Sequence, residues 1–346
     1  MHAAVEHLLH TVPPTQLHAY APAPGMASVR EKVAAYLTQT FGEAYRAQDI
    51  YMTDGASSAL AILTRALLCP GDEAIVLAPY FPEYAVYAEA AGGSVRVVPC
   101  KADTFALDLE ALSAAVTEKT ALLILNSPNN PSGVVISRPE LAALSAMLRE
   151  KQARYGHPIY IIADEPYREI VFDGGEQPYP SKFYDNTLSC YSYSKSLSLP
   201  GERIGYVAVN PRATDAKLIV PMCGQISRGT GHNCPSSTAQ LAVAKVVDET
   251  SDLSVYETNM NLLYDALTRL GFDVVRPGGT FYIFPKALEE DANAFCMKAK
   301  DYDLILVPSD SFGVPGYFRM AYCIDTEKVE RSIAALEKFV HEVYGR

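Results

Sequence analysis

The run Ser192-Tyr193-Ser194-Lys195-Ser196-Leu197-Ser198-Leu199-Pro200-Gly201-Glu202-Arg203-Ile204-Gly205-Tyr206 sets one lysine among hydroxyl side chains, with an arginine downstream. A dianionic phosphate ester needs several hydrogen-bond donors and one fixed cation. Ser192, Ser194 and Arg203 are the right types, because a guanidinium engages phosphate through two parallel bonds. Lys195 is then free for covalent chemistry with an aldehyde. A lone lysine on a serine-rich loop would simply be solvated; these neighbours give it another use.

Other residues could serve the same chemistry. Pro158-Ile159-Tyr160-Ile161-Ile162-Ala163 reads as a buried strand running into Asp164-Glu165-Pro166-Tyr167. That puts Asp164 at the carboxyl end of a strand, where open α/β sheets hold ligands; alone, such an aspartate is a cap or turn residue. Thr53-Asp54-Gly55-Ala56-Ser57-Ser58-Ala59-Leu60 passes from a short strand into a helix whose first N–H groups and positive dipole end suit an anion. Gly316-Tyr317-Phe318-Arg319-Met320-Ala321 places an arginine in an apolar strand, where the charge is costly unless a carboxylate pairs with it. Three further segments carry less by themselves. Asn126-Ser127-Pro128-Asn129-Asn130-Pro131-Ser132-Gly133 is turn-forming, Pro79-Tyr80-Phe81-Pro82-Glu83-Tyr84 could be plain core, and Tyr20-Ala21-Pro22-Ala23-Pro24-Gly25-Met26 could be a linker.

In this order these segments resemble the class I/II aminotransferases of the fold-type I pyridoxal-phosphate (PLP) enzymes, aspartate aminotransferase-like, from about Tyr20 to the C-terminus. The lysine segment matches the family pattern S-x-S-K followed by glycine, arginine and glycine, and the others resemble its D-x-x-Y, N-P-[ST]-G, P-x-aromatic-P, F-R and Y-x-P-x-x-G stretches. The resemblance implies that Lys195 holds pyridoxal 5'-phosphate as a Schiff base and that Gly55, Ala56, Ser57, Ser192, Ser194 and Arg203 bind its phosphate. Asp164 would keep the ring nitrogen protonated, since a pyridinium withdraws electrons better than a pyridine. Tyr167 and Asn130 would share the ring hydroxyl oxygen, and Phe81 would stack on the ring for a gain of about 1 kcal/mol. Arg319, with Asn130, would hold the substrate α-carboxylate. Tyr20 would reach the phosphate of a neighbouring subunit, which implies a homodimer. Lys195, Asp164 and Tyr167 are the implied catalytic residues, and no metal is expected.

These residues need a rigid frame. Short β-rich runs alternate with helical patterns, which predicts an α/β fold: a three-layer αβα unit with a mostly parallel sheet, followed by a smaller α+β unit. Expected strands are Glu73–Leu77, Ser94–Val98, Ala121–Leu125, Pro158–Ala163, Thr187–Tyr191 and Ile204–Val209. Expected helices are Ser57–Leu68, Pro82–Ala90 and Pro139–Arg154, the last capped by Ser137. Helical periodicity dominates Ser236–Leu270; strands near Val274–Phe284 and Tyr317–Tyr322 and a helix from Thr326 complete the chain. The expected division is 16–250 for the large cofactor-binding unit and 251–346 for the small one, with 1–15 packing on the small unit.

The bulk properties narrow the partners. With 29 basic against 40 acidic residues, the net charge of -11 offers no attraction to nucleic acid or anionic lipid. No apolar run reaches the length of a membrane span, and Met1–Val12 lacks the pattern of a signal peptide. The 7 cysteines form no CxxC pair and leave one over in any disulfide scheme, so a reducing cytoplasm is the expected setting. The expected partners are amino acids and 2-oxo acids, in a ping-pong amino transfer. Two readings stay open: a PLP-dependent C–S or other β/γ-lyase on the same scaffold, and a PLP-binding protein with impaired turnover. The second follows from the start of the chain close ahead of Tyr20, where the family carries a further G-x-P-type segment that closes over substrate. A ligand-sensing relative of the fold would carry a basic DNA-binding module, and none is visible.

Overall fold

The computed structural model describes residues 1–346. Its centre is a seven-stranded sheet in the order β1-β7-β6-β5-β4-β2-β3. The strands are β1 (Ile50–Thr53), β2 (Glu73–Ala78), β3 (Ser94–Pro99), β4 (Thr120–Asn126), β5 (Tyr160–Asp164), β6 (Thr187–Ser192) and β7 (Gly205–Val209). From β3 through β6 neighbours run parallel, and only β7 is antiparallel to its neighbours.

Continuous apolar runs explain the central strands, because a parallel sheet covered on both faces exposes neither set of alternate side chains. Every residue of β5 is buried. Ile162 packs towards the helices Ala56–Leu67 and Ala216–Thr230, while Ile161 packs towards the helix Arg138–Tyr155. Each such burial is worth roughly 1.5–3 kcal/mol. The latter helix starts where Ser137 predicts: Glu140 Oε2 accepts from Ser137 N at 2.9 Å, and the Ser137 hydroxyl accepts from Glu140 N at 3.4 Å. Parallel pairing fixes what the site needs. Asn126 at the end of β4 lies beside Asp164 at the end of β5, and β6 ends on Ser192 along the same edge.

A second, three-stranded antiparallel sheet, β8-β10-β9, comprises β8 (Tyr282–Ile283), β9 (Val307–Pro308) and β10 (Phe318–Ala321). It packs with the helices Ser254–Arg269, Ala292–Ala299 and Thr326–Tyr344 around a core that also takes in Tyr167, Ile170 and Phe172 from the chain beyond β5.

Two expectations are corrected. The strand expected over Val274–Phe284 is reduced to β8 and two isolated bridges, Val274 with Pro285 and Gly279 with Val171. Pro277 has no N–H to give a ladder, and the N–H groups of Gly278, Gly279 and Thr280 bond instead to Gly133 O and Ile170 O. Residues 1–15 do not pack on 251–346. The helix His2–Thr11 buries Ala4 and Leu8 against Leu17 and Ala242, so its apolar stripe meets the helix Ser237–Val243. That helix shares a core with Val29, Met52 and Tyr206 of the large unit.

Candidate active site

The lysine is presented by a short helix with two faces. After β6, Ser192 caps Tyr193–Ser196 by accepting from Ser194 N at 3.3 Å. Tyr193 and Ser196 turn inward, Tyr193 edge-on to Tyr191 at 5.1 Å and Ser196 bonded to the Tyr191 hydroxyl at 2.7 Å. Ser194 and Lys195 consequently face a cavity of about 250 Å³. Lys195 Nζ lies 5.1 Å from the Phe281 ring centroid and 5.8 Å from that of Tyr167. Burial lowers the lysine's pKa, and the cations Arg203 and Arg319 lower it further against the opposing Cys323. The amine is thus easier to free of its proton than a surface lysine.

One end of the cavity is built for an anion. The helix Ala56–Leu67 begins without a side-chain cap, leaving its leading N–H groups to whatever sits there. Ser192 and Ser194 share a hydroxyl bond of 2.8 Å beside it. Arg203 donates to Asp54 O at 3.2 Å and to Pro200 O at 3.0 Å, which anchors its guanidinium at the cavity wall. Gly55 makes this packing possible: its φ is +83°, and a Cβ there would come within 3.0 Å of Arg203 Nη2.

The other landmark is Asp164. Its Oδ2 accepts from the Tyr84 hydroxyl at 2.5 Å, and its backbone oxygen accepts from Asn126 Nδ2 at 2.8 Å. Its Oδ1 is buried with no partner at all. Burial pushes the carboxyl up to about 6, with the Tyr84 bond opposing. A buried carboxylate oxygen without a donor is costly unless a ligand brings a proton or a cation to it. Asn126 also accepts from Asn130 N at 2.7 Å, so one amide positions both Asp164 and the following loop.

Asn130 Oδ1 accepts from Arg319 Nη1 at 2.9 Å. The Arg319 guanidinium lies over the rings of Tyr282 at 4.4 Å and Phe312 at 5.0 Å. Tyr167 is almost fully buried, edge-on to Phe281 at 5.3 Å, and burial, then the neighbouring Tyr282, drives its pKa well above the usual value. Phe81 meets Tyr84 edge-on at 5.7 Å on the cavity wall.

Of the residues marked in the sequence, all line this cavity except Gly55, which lies behind Arg203, and Tyr20. Tyr20 stands fully exposed at 103% on a surface shared with Cys234 and Pro235, away from the chain's own cavity. Tyr84, Asn126 and Tyr282 line the cavity without having been assigned a role from sequence. A signal existed for two of them: Tyr84 follows Phe81 at helical spacing, and Asn126 precedes Asn130 by one turn-length in a polar stretch closing an apolar strand. Tyr282 gave none, because an aromatic in a strand ordinarily reads as core.

An anion cradle, a desolvated amine, an unpartnered buried carboxylate oxygen and a flanking aromatic ring match the four parts of pyridoxal phosphate: phosphate, aldehyde, pyridine nitrogen and ring face. They are lodged at the carboxyl edge of a mostly parallel sheet, where open α/β folds bind ligands. The family model "Aminotransferase class I and II" matches residues 2–336. A probable aspartate/prephenate aminotransferase of Aquifex aeolicus is 30% identical over 338 residues, 94% of this chain and 84% of that one. Among solved structures, an amino transferase from Eubacterium rectale superposes with a TM-score of 0.95 at 44% identity, covering 99% of this chain and 86% of that chain. The Thermus thermophilus aspartate aminotransferase with maleate gives 0.88 at 26% identity, covering 98% and 87%. The chain belongs to the class I and II aminotransferases and is a pyridoxal-phosphate-dependent transaminase.

Proposed function

We propose that this aminotransferase moves an amino group from an L-amino acid to a 2-oxo acid, with Lys195 as both covalent anchor and proton carrier. The observation that carries the reading is the buried, partnerless Oδ1 of Asp164 on the wall of the cavity that Lys195 Nζ enters. Bound cofactor supplies the electron sink that makes the substrate Cα–H acidic. Asp164 holds a proton at the ring nitrogen. Tyr167 and Asn130 donate to the ring hydroxyl oxygen, and Asn130 is oriented for this because its Oδ1 is already engaged by Arg319. Ala56 and Ser57 backbone N–H groups, the Ser192 and Ser194 hydroxyls and Arg203 hold the phosphate, with Gly55 allowing their approach. Phe81 covers one ring face, and the free edge of Arg319 takes the substrate α-carboxylate.

With substrate bound in the cavity, the Lys195 amine would serve as the base at the substrate Cα–H. Its lowered pKa favours the neutral form that would take up the Cα proton and hold it at Nζ for return. The fully exposed Tyr20 supports a homodimer in which it reaches the phosphate site of a second copy. No helix is long and apolar enough to cross a membrane, and with unpaired cysteines this fits a cytoplasmic setting. Aspartate, named for several relatives, is the first donor to test. The deciding experiment loads wild-type and Lys195→Ala protein with PLP, assays amino transfer on one portion of each and treats a separate portion with borohydride. Wild type becomes irreversibly labelled and turns over; the variant does neither. Normal turnover in the variant would refute the assignment.

A further inference from the structure

We propose that Tyr282 is a positioning residue that fastens the carboxylate-binding arginine to the tyrosine facing the cofactor ring, an inference that rests on the roles given above to Arg319 and Tyr167. In the small sheet Tyr282 pairs with Ala321, two residues from Arg319 and therefore on the same face of β10. Its ring lies 4.4 Å from the Arg319 guanidinium carbon, while Phe312 holds the cation at 5.0 Å. Asn130 takes one of its N–H groups. A planar cation so restrained keeps an edge for a carboxylate and loses little freedom when one arrives.

The same ring meets Tyr167 edge-on, centroids 6.0 Å apart and planes at 76°. Burial raises the proton affinity of Tyr167, and Tyr282 beside it raises it further. One side chain thus touches both the group that recognises substrate and the group that faces the cofactor.

The backbone makes this geometry stiff. Thr280 adopts φ +65°, and its hydroxyl accepts from Tyr282 N at 3.0 Å. Thr280 N donates to Ile170 O at 3.0 Å, three residues beyond Tyr167, and Gly278 and Gly279 donate to Gly133 O in the Asn130 loop at 2.9 and 3.0 Å. A Cβ on Gly279 would come within 2.5 Å of Ile170 O, so only glycine lets the segment lie this close. Tyr282 is the cavity-facing end of a segment bonded to both neighbouring motifs.

The test uses PLP-loaded wild type, Tyr282→Leu and Tyr282→Phe. For each, KM and kcat with the best amino donor are measured, together with the pH midpoint of the visible absorbance of lysine-bound cofactor and the melting temperature. Removing the ring in Tyr282→Leu raises KM about tenfold with kcat changed less than about threefold. Tyr282→Phe keeps KM within about twofold but lowers the absorbance midpoint by roughly half a unit, because Tyr167 then donates more fully to the ring oxygen. If Tyr282→Leu fails to fold, the Phe variant's midpoint decides. A Leu variant that loads cofactor with KM and midpoint unchanged overturns the proposal, as does a Phe variant without a midpoint shift. Losses in Tyr282→Leu that affect kcat and KM only in step with melting temperature also overturn it. Wild type without lysine-linked absorbance overturns both this proposal and the site reading beneath it.

Discussion

Asp164 and Glu165 are consecutive residues on opposite faces of the sheet, and both are buried carboxyls. Burial pushes Asp164 up to about 6 and Glu165 to about 7, against ordinary values of 3.8 and 4.5. The native state therefore binds protons that the unfolded chain has already released between about pH 4 and pH 7. Cofactor-free protein should lose stability as pH rises through that window. Asp164→Asn removes part of that loss, so melting curves at pH 5 and pH 8 should lie closer together in the variant than in wild type. An undiminished difference would place the titration elsewhere. In loaded enzyme the same substitution leaves no carboxylate for the ring nitrogen, and kcat should fall by at least about 100-fold. Legibility at this scale followed chemistry. Lys195, Asp164, Arg203 and Arg319 stood out because a charge amid hydroxyls or apolar residues needs a reason. Tyr84 and Asn126 carried only the weaker signal of their spacing from Phe81 and Asn130, because the hydrogen bonds that give them significance join them to Asp164, distant in sequence.

The junction between β1 and the helix Ala56–Leu67 shows how an element makes a site. Gly55→Ala forces a β-carbon against Arg203 at a backbone angle that L-residues avoid. The expected result is a stability loss of about 1 kcal/mol and a PLP affinity at least about tenfold weaker, read by equilibrium dialysis. Ser137→Ala is the matched control: it breaks the capping box of Arg138–Tyr155, far from the cavity, and should cost about 1 kcal/mol in urea melts with PLP affinity unchanged. The central strands were readable because two-sided burial demands unbroken apolar runs, and the helix after Ser137 because its cap is written locally. The region 274–284 was misread as a strand because its residues are apolar enough for one, whereas Pro277 and the two glycines commit the backbone to partners in the Asn130 loop and beyond Tyr167. Those partners are distant in sequence, so periodicity could not find them.

At the scale of the whole molecule, the alternation of strands and helices was enough to give a layered α/β unit with a smaller companion, but not to say where the first helix docks. Its stripe of Ala4 and Leu8 is compatible with any apolar face, and the choice of Ala242 is made by the assembled structure. The proposed homodimer carries its own prediction. Tyr20→Ala should leave sedimentation as a dimer intact while weakening PLP binding about tenfold; mixing it with Arg203→Ala subunits should produce hybrids with one sound and one doubly impaired phosphate site. Unchanged affinity in Tyr20→Ala would remove the cross-subunit role.

Tyr167, Ile170 and Phe172 are rooted in the core of the C-terminal unit although the sequence that carries them continues directly from β5. Residues 251–346 are thus no exchangeable module. Grafting a relative's C-terminal unit onto this sheet would leave those three side chains in a foreign socket, and successful chimaeras should be those that swap the stretch after Asp164 along with it.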